Sequence, residues 1–388
     1  MIHLSHYNTA TTILQGYNGS LPFHHYSKQF FSAHKKYGSK DRKQITNLCY
    51  QYFRLGHALP DSTIAEKILL GVFLCQQQSS PLLAHLRPNL NDSIHLPFKE
   101  KMTLLELKPS DIFPFTDALG PSVDTDAFPL SMLVQPLLFL RLRPVKEEQV
   151  QQKLTVAGIA FTTINKHCLA LPNTAKVDTL IKLNEEAVVQ DASSQQVGDF
   201  FVQYQLTLPN GQYPTVWDCC AASGGKSIML HDVWQGRCNL TVSDVRSSIL
   251  FNLSQRFQQA GILHYDSFVA DLAEGAPGNH AYDAIICDAP CTGSGTWART
   301  PEQLCFFNPT AIADYAQLQR KIIRNAITQL KPGGIFYYIT CSVFKNENED
   351  IVNSILQQFD LELLQMKVIS GYNIKADTMF AALLRKRQ

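Results

Sequence analysis

The feature that most constrains the fold begins near residue 195. From there, apolar runs alternate with helix-like segments, and several runs end in an acid. The runs are "TVWDCC" (215–220), "CNLTVSD" (238–244), "HYDSFVAD" (264–271), "DAIICDAP" (283–290), "GGIFYYITCS" (333–342), "LELLQMKVIS" (361–370) and "TMFAALLRK" (378–386). Helical periodicity fills 225–234, 246–260, about 309–330 and 347–358. Short apolar strands separated by helices predict an α/β fold, a doubly wound, Rossmann-like sheet with a largely parallel core.

In such a sheet, ligands bind in the crevice outside the carboxyl ends of the strands. The turn after the first run reads "CCAASGGKS", 219–227. It ends like a phosphate-binding loop, but the pattern G-x-x-x-x-G-K-[ST] would need a glycine where Cys220 stands. Another use of a glycine turn there is close approach of backbone to a cofactor, and the plain alternative is an ordinary strand-to-helix turn. Asp244, Asp271 and Asp288 stand at the ends of the next three runs. Carboxylates converging on one crevice suit a nucleoside with ribose hydroxyls and an exocyclic amine. S-adenosylmethionine is such a ligand.

Two thiols also follow strand ends: Cys291 in "DAPCTGSG" and Cys341 in "ITCSVFKNENED". Either cysteine alone reads as buried filler. As a pair beside a cofactor crevice they suggest nucleophilic chemistry at carbon. Carbon 5 of a pyrimidine is too weak a nucleophile to take a methyl group unaided. A thiolate adding to carbon 6 makes an enamine whose carbon 5 can attack a sulfonium methyl. An acid bonding the ring edge stabilises the adduct, and Asp288, three residues before Cys291, stands where that acid is wanted. Trp297 and Arg299, in "GTWARTPE", either meet a flipped base and a phosphate or simply pack and decorate the loop.

The segments "DCCAASGGKS", "SDVRSSIL", "DAPCTGSGTWARTPE" and "YYITCSVFKNENED" resemble, in order and at suitable spacing, the motifs of the Sun-family, RsmB-like RNA cytosine-5 methyltransferases. "VVQDASSQQVGDFF" resembles the stretch just before that family's catalytic domain. The resemblance implies that Cys341 is the nucleophile and that Cys291 assists release of the adduct. It implies that Cys220, Ala221, Ala222, Ser223, Gly224, Gly225 and Lys226 form the loop around the cofactor's methionine part. Asp244, with Arg246 beside it, would hold the ribose, Asp271 would lie near the adenine, and Asp288 would sit between cofactor and cytosine. Two departures stand out. Ser223 replaces the family's proline, which should soften the loop, and Arg143 and Pro144 replace the family's Asn and its neighbour after the first small-domain strand.

The first half of the chain reads differently. Residues 1–85 are helical in pattern, with "TIAEKILLGVFLCQQQ" capped by Ser62 or Thr63, whereas prolines at 88, 97, 109, 114, 121 and 129 break 86–133 into short pieces. Residues 136–180 give a β-α-β-β unit. The expected organisation is a helical domain with connecting region at 1–133, a small α+β subdomain at 134–194 and a methyltransferase domain at 195–388. The stretch "GSKDRKQITNLCYQYFRLGHAL" resembles the NusB-like RNA-binding helical domain, and the 134–194 unit resembles the family's small RNA-binding subdomain.

Charge supports that. The net charge is only +1, yet residues 1–60 hold seven Lys/Arg against Asp41 alone, together with six of the twelve histidines. A basic end on a neutral chain suggests an anionic partner such as RNA, or else a solvated charged face. The ten cysteines contain no C-x-x-C pair, which argues against a zinc ribbon or disulfide framework and for a reducing cytoplasm; no metal is expected. No apolar run reaches the ~18 residues of a membrane span, and the N-terminus lacks the pattern of a signal peptide. The expectation is a cytoplasmic, monomeric enzyme that methylates carbon 5 of a cytosine in RNA, preferably small-subunit ribosomal RNA. Transfer RNA, DNA methylation through the Pro-Cys thiol, and a non-catalytic RNA-binding assembly factor are the alternatives.

Overall fold

The computed structural model describes residues 2–388. Two compact units emerge. One comprises residues 1–119, 123–135 and 296–309; the other comprises 120–122, 136–295 and 310–388.

The first unit is helical. Helices Ile2–Gly16, Phe23–Ala33, Ser39–Phe53 and Ile64–Cys75 bury Ala10, Ile13, Phe23, Phe31, Ile45, Cys49, Phe53 and Ile68 in one cluster. Thr63 caps the fourth helix by accepting a hydrogen bond from the Glu66 amide at 3.2 Å. Gly71 lies against the Gln51 carbonyl, so any side chain there would force these two helices apart. Five short helices follow, between Pro81 and Ser131, and three of them start on proline. Residues 296–309 complete this unit. The buried Arg54 guanidinium donates to the carbonyls of Met132, Val134 and Ala298, and the Glu302 carboxylate accepts from the Phe23 amide at 3.2 Å. Trp297 is 1% exposed and packs against Phe113 and Phe307, so of its two readings the loop-packing one holds.

The second unit carries two sheets. The strands are β1 Leu138–Leu142, β2 Thr162–Asn165, β3 Cys168–Leu171, β4 Ala187–Val189, β5 Thr215–Asp218, β6 Asn239–Asp244, β7 Asp266–Val269, β8 Tyr282–Asp288, β9 Leu330–Thr340, β10 Leu361–Ser370 and β11 Thr378–Lys386. The small sheet runs β2-β3-β1-β4, and the large one β10-β11-β9-β8-β5-β6-β7. The β-α-β-β unit thus gains β4, three residues long and too short to carry a pattern. In the large sheet, β9, β8, β5, β6 and β7 pair in parallel, and β11 and β10 add antiparallel strands at one edge. This is the doubly wound α/β sheet expected from the alternation of strands and helices.

Side-chain alternation splits the core into two layers. Val216, Ala284 and Ile286 face one cluster with Ile228, Leu253 and Phe257 from helices Gly225–Val233 and Ser247–Ala260. Trp217 and Ile285 face the other, with Ile323 and Ile351 from helices Thr310–Ile327 and Glu349–Gln358. Fully burying one such side chain stabilises the fold by about 1.5–3 kcal/mol.

The small sheet is joined to the helix Gly225–Val233 by charge. Arg141 and Arg143 each reach the Asp232 carboxylate at 2.6 Å, and all three side chains are nearly buried. Arg143 also donates to the carbonyls of Asn184 and Ala260, and Arg141 to Gln190. Stretch 141–144 is therefore occupied internally at both arginines. Asp232→Ala leaves two buried guanidiniums without their carboxylate and should lower the unfolding free energy by about 3–5 kcal/mol. Urea denaturation measures this directly; a change within error would show the clamp to be energetically idle.

Candidate active site

β5 ends at Asp218, two residues earlier than its apolar run suggests, because the chain turns there. The Cys219 amide bonds Ile286 O at 2.9 Å, and the Ala221 amide bonds Ser243 O at 2.9 Å. The turn thereby stays tied to β8 on one side and β6 on the other. Ala222 (φ 45°) and Gly224 (φ 80°) adopt left-handed backbone. A Cβ on Gly224 would lie 2.6 Å from the Phe257 ring, so glycine is required there on two grounds.

Ser223, where a softer loop was expected, is instead held. Arg256 donates to its carbonyl at 2.8 Å and its hydroxyl at 2.7 Å, and to Asn184 Oδ1 at 3.1 Å. The serine hydroxyl supplies an anchor that a proline ring lacks. This offsets the stiffness proline would have given.

A cavity of about 310 Å³ opens beside this turn. Ala221, Ala222, Ser223, Gly225, Lys226, Asp288 and Cys341 all line it. The buried Lys226 ammonium donates to Asp288 Oδ2 at 3.1 Å and Ser194 Oγ at 2.8 Å, which orients both. Asp244 stands just behind, accepting from the Ala222 amide at 3.1 Å and the Arg246 amide at 3.0 Å, with Arg246 Nε at 3.1 Å. Cys220, Gly224 and Cys291 belong to the surrounding loops without lining the cavity. Asp271 lies past the end of β7, exposed, with its carboxylate capping the Ala273 amide at 2.9 Å; it does not reach the cavity.

Several lining residues were not singled out from the sequence: Asp191, Ser194, Asp218, Arg256 and Asp377. Asp218 had a readable signal, as an acid closing the first apolar run like Asp244 and Asp288. It is 1% exposed, and its Oδ2 accepts from Ser227 Oγ at 2.5 Å. Its Oδ1 is buried without a hydrogen-bond partner among the described residues. Burial, aided by the nearby Asp288, pushes its carboxyl up to about 7.

The two expected thiols meet. Cys291 Sγ lies 3.4 Å from Cys341 Sγ, although fifty residues separate them in sequence. The Cys341 sulfur as bonding partner, followed by burial, pushes the Cys291 thiol well above its usual range. Either sulfur can donate in this contact, and Cys341 is the one that lines the cavity.

Glu347 holds both thiol loops in place. From the sequence it reads as one of several acids opening a helix, but its side chain is fully buried. It accepts from the Thr292 amide at 2.8 Å, Thr292 Oγ1 at 2.6 Å, Gln319 Nε2 at 3.3 Å and the Ser342 hydroxyl. Thr292 follows Cys291 and Ser342 follows Cys341. Gly295 N bonds Cys341 O at 2.9 Å, and Asn348 Nδ2 bonds Ser342 O at 2.9 Å, which fixes the same two loops from the backbone side.

The sheet order and the crevice define a Rossmann-like methyltransferase fold. Residues 204–385 match a family model described as "16S rRNA methyltransferase RsmB/F". Among curated relatives, a probable ribosomal RNA small subunit methyltransferase B of Coxiella burnetii is 31% identical over 192 residues, 48% of this chain and 43% of the relative. Its Bacillus subtilis counterpart is 29% identical over 232 residues, 58% of this chain and 50% of the relative. The matched stretch thus spans half or less of these relatives' length. A solved structure described as "Crystal Structure of PH0851" superposes with a TM-score of 0.70 at 21% identity, covering 94% of this chain and 95% of that one. Among the described residues no helix is long and apolar enough to cross a membrane.

Two outcomes follow from the site's buried carboxyls. Burial raises the folded-state pKa of Asp218 above its unfolded value, so the folded chain holds an extra proton between about pH 4 and about 7. Stability from this group is complete below that window and is lost as pH rises through it, by at most ~1.4 kcal/mol per pH unit. Asp218→Asn should flatten that part of the denaturation profile; parallel profiles would exclude the effect. Glu347→Ala strands several buried donors and should destabilise by about 3 kcal/mol. Glu347→Gln, which keeps shape and an acceptor, should cost clearly less in the same melts.

Proposed function

We propose that this chain methylates carbon 5 of a cytosine in RNA, with Cys341 as nucleophile and S-adenosylmethionine as methyl donor. The observation that carries the reading is the pair of thiols 3.4 Å apart beside a cavity built on the glycine turn. Of the two, only Cys341 lines that cavity. This supports Cys341 as the attacking group rather than the Pro-Cys thiol.

The residues suit the donor. Four acids, Asp191, Asp218, Asp288 and Asp377, line the cavity, and Asp218 Oδ1 is a buried acceptor without a partner among the described residues. An acid-rich wall favours a ligand carrying ammonium and sulfonium charges. The turn Ala221–Lys226 would hold the methionine part and Asp244 the ribose. When bound, S-adenosylmethionine would supply a methyl group on a positively charged sulfur.

The chain's own groups then have distinct tasks. Cys341 adds to carbon 6 of the cytosine and makes carbon 5 nucleophilic. Asp288, steadied by Lys226, meets the N3 and amine edge of the ring and stabilises the adduct. After methylation a base takes the carbon 5 proton, the electron pair of that bond restores the C5–C6 double bond, and the Cys341–C6 bond breaks with the sulfur leaving as thiolate, a departure Cys291 assists. Glu347 keeps both thiol loops in register throughout.

Small-subunit ribosomal RNA is the proposed substrate, supported by the names of the curated relatives and by the basic first 60 residues. Ten free thiols suit work in the cytoplasm, and the enzyme is read as a monomer.

Cys341→Ala should reduce methylation to background. Cys291→Ala should instead accumulate a protein–RNA adduct that survives denaturing gels. Matched small-subunit RNA, transfer RNA and DNA substrates test the substrate class at the same time. Turnover by the Cys341→Ala protein would refute the nucleophile assignment.

A further inference from the structure

A second group of sulfurs lies at the root of the glycine turn and takes no part in the proposed reaction. Cys219 and Cys220 follow β5, and Cys287 is the penultimate residue of β8. Their three Sγ atoms all lie within 4.8 Å of one another. Cys219 and Cys287 are 2% and 0% exposed, whereas Cys220 is half-buried. No imidazole or carboxylate oxygen joins the group among the described residues.

We infer that Cys219, Cys220 and Cys287 bind a single thiophilic d10 cation, Zn²⁺ or Cu⁺. Three sulfurs around such an ion at about 2.3 Å stand about 3.8–4.0 Å apart, so closure needs side-chain shifts of less than about 1 Å. The backbone needs no rearrangement. Cys219 N is already bonded to Ile286 O at 2.9 Å, and Cys219 O accepts from Ser243 Oγ at 3.1 Å. An all-sulfur donor set excludes hard cations, which require oxygen, and selects ions with soft-ligand affinity. Binding converts up to three thiols to thiolates and releases their protons to solvent, with no electron transferred; affinity therefore rises with pH.

The position gives the ion a consequence. Asp218 immediately precedes Cys219, and Asp288 immediately follows Cys287. A bound ion would pin the carboxyl ends of β5 and β8 together and steady both cavity acids from below. Spacing rules do not find this site, because one ligand comes from a strand 67 residues away.

The test uses the full chain with Cys291→Ser and Cys341→Ser, which removes the other close thiol pair. The reduced, metal-free protein is titrated with Cd²⁺ as a spectroscopic probe, and in separate arms with Zn²⁺ and Cu⁺ against chromophoric competitors, which tell the two ions apart. The expected result is one equivalent bound, a thiolate-to-Cd²⁺ charge-transfer band, and protection of Cys219, Cys220 and Cys287 from alkylation by peptide mass mapping. Adding Cys287→Ser should weaken Cd²⁺ binding more than about 100-fold, since loss of a mere outer-shell partner already costs about 10–100-fold. Absence of a stoichiometric ion, protection of a different set of thiols, or a disulfide within the trio in place of metal would overturn the inference. The alkylation map decides the question even where the Cys287→Ser protein does not fold.

Discussion

The candidate site depends on one constraint, the parallel pairing of β5 with β6 and β8, and of β8 with β9. In a parallel ladder all carboxyl ends lie on one edge, so whatever follows each strand is gathered there. Asp218 pairs in register with Ile286 and with Val242, and Asp288 pairs with Ile339. The glycine turn, Asp244, the Cys291 loop and the Cys341 loop are all consequences of that alignment. One residue of slip would move every one of these side chains to the opposite face.

Alignment brings the loops near each other but does not hold them. The loops are held by buried polar groups that would be costly if unmatched. Glu347 satisfies donors from both thiol loops, Lys226 bridges Ser194 and Asp288, and Arg256 fastens Ser223. Each charge is nearly or partly removed from water and is matched by partners from distant parts of the chain. Such networks favour one geometry because a half-formed one leaves buried groups unpaired. The Asp232 clamp acts in the same way on the small sheet.

Much of the architecture is legible in the letters. Seven strands of the large sheet can be read from apolar runs, and their connecting helices from a 3.6 period. Gly224 and Asp244 can be placed at strand ends before any coordinates. Asp271 was readable in the same way, yet it caps its own turn, because the chain continues two residues past β7 before reaching it. Trp297 was ambiguous, since a loop tryptophan looks the same whether it faces a ligand or a core. Ser223 looked like a weakness because its partner, Arg256, lies 33 residues further on.

The doubly wound sheet, the edge at which chemistry is gathered and the residue types available there are all written in the order of the letters. These depend on local period and strand-end composition, which neighbours in the chain encode. Packing in three dimensions is what makes Cys291 and Cys341 touch, lets Glu347 join their loops, buries Asp218 in the cavity wall and clusters three further sulfurs beneath it. Those facts depend on which strand lies beside which and on how far each loop reaches. Distances of a few ångströms between residues fifty or more positions apart are set by packing, and no local pattern records them.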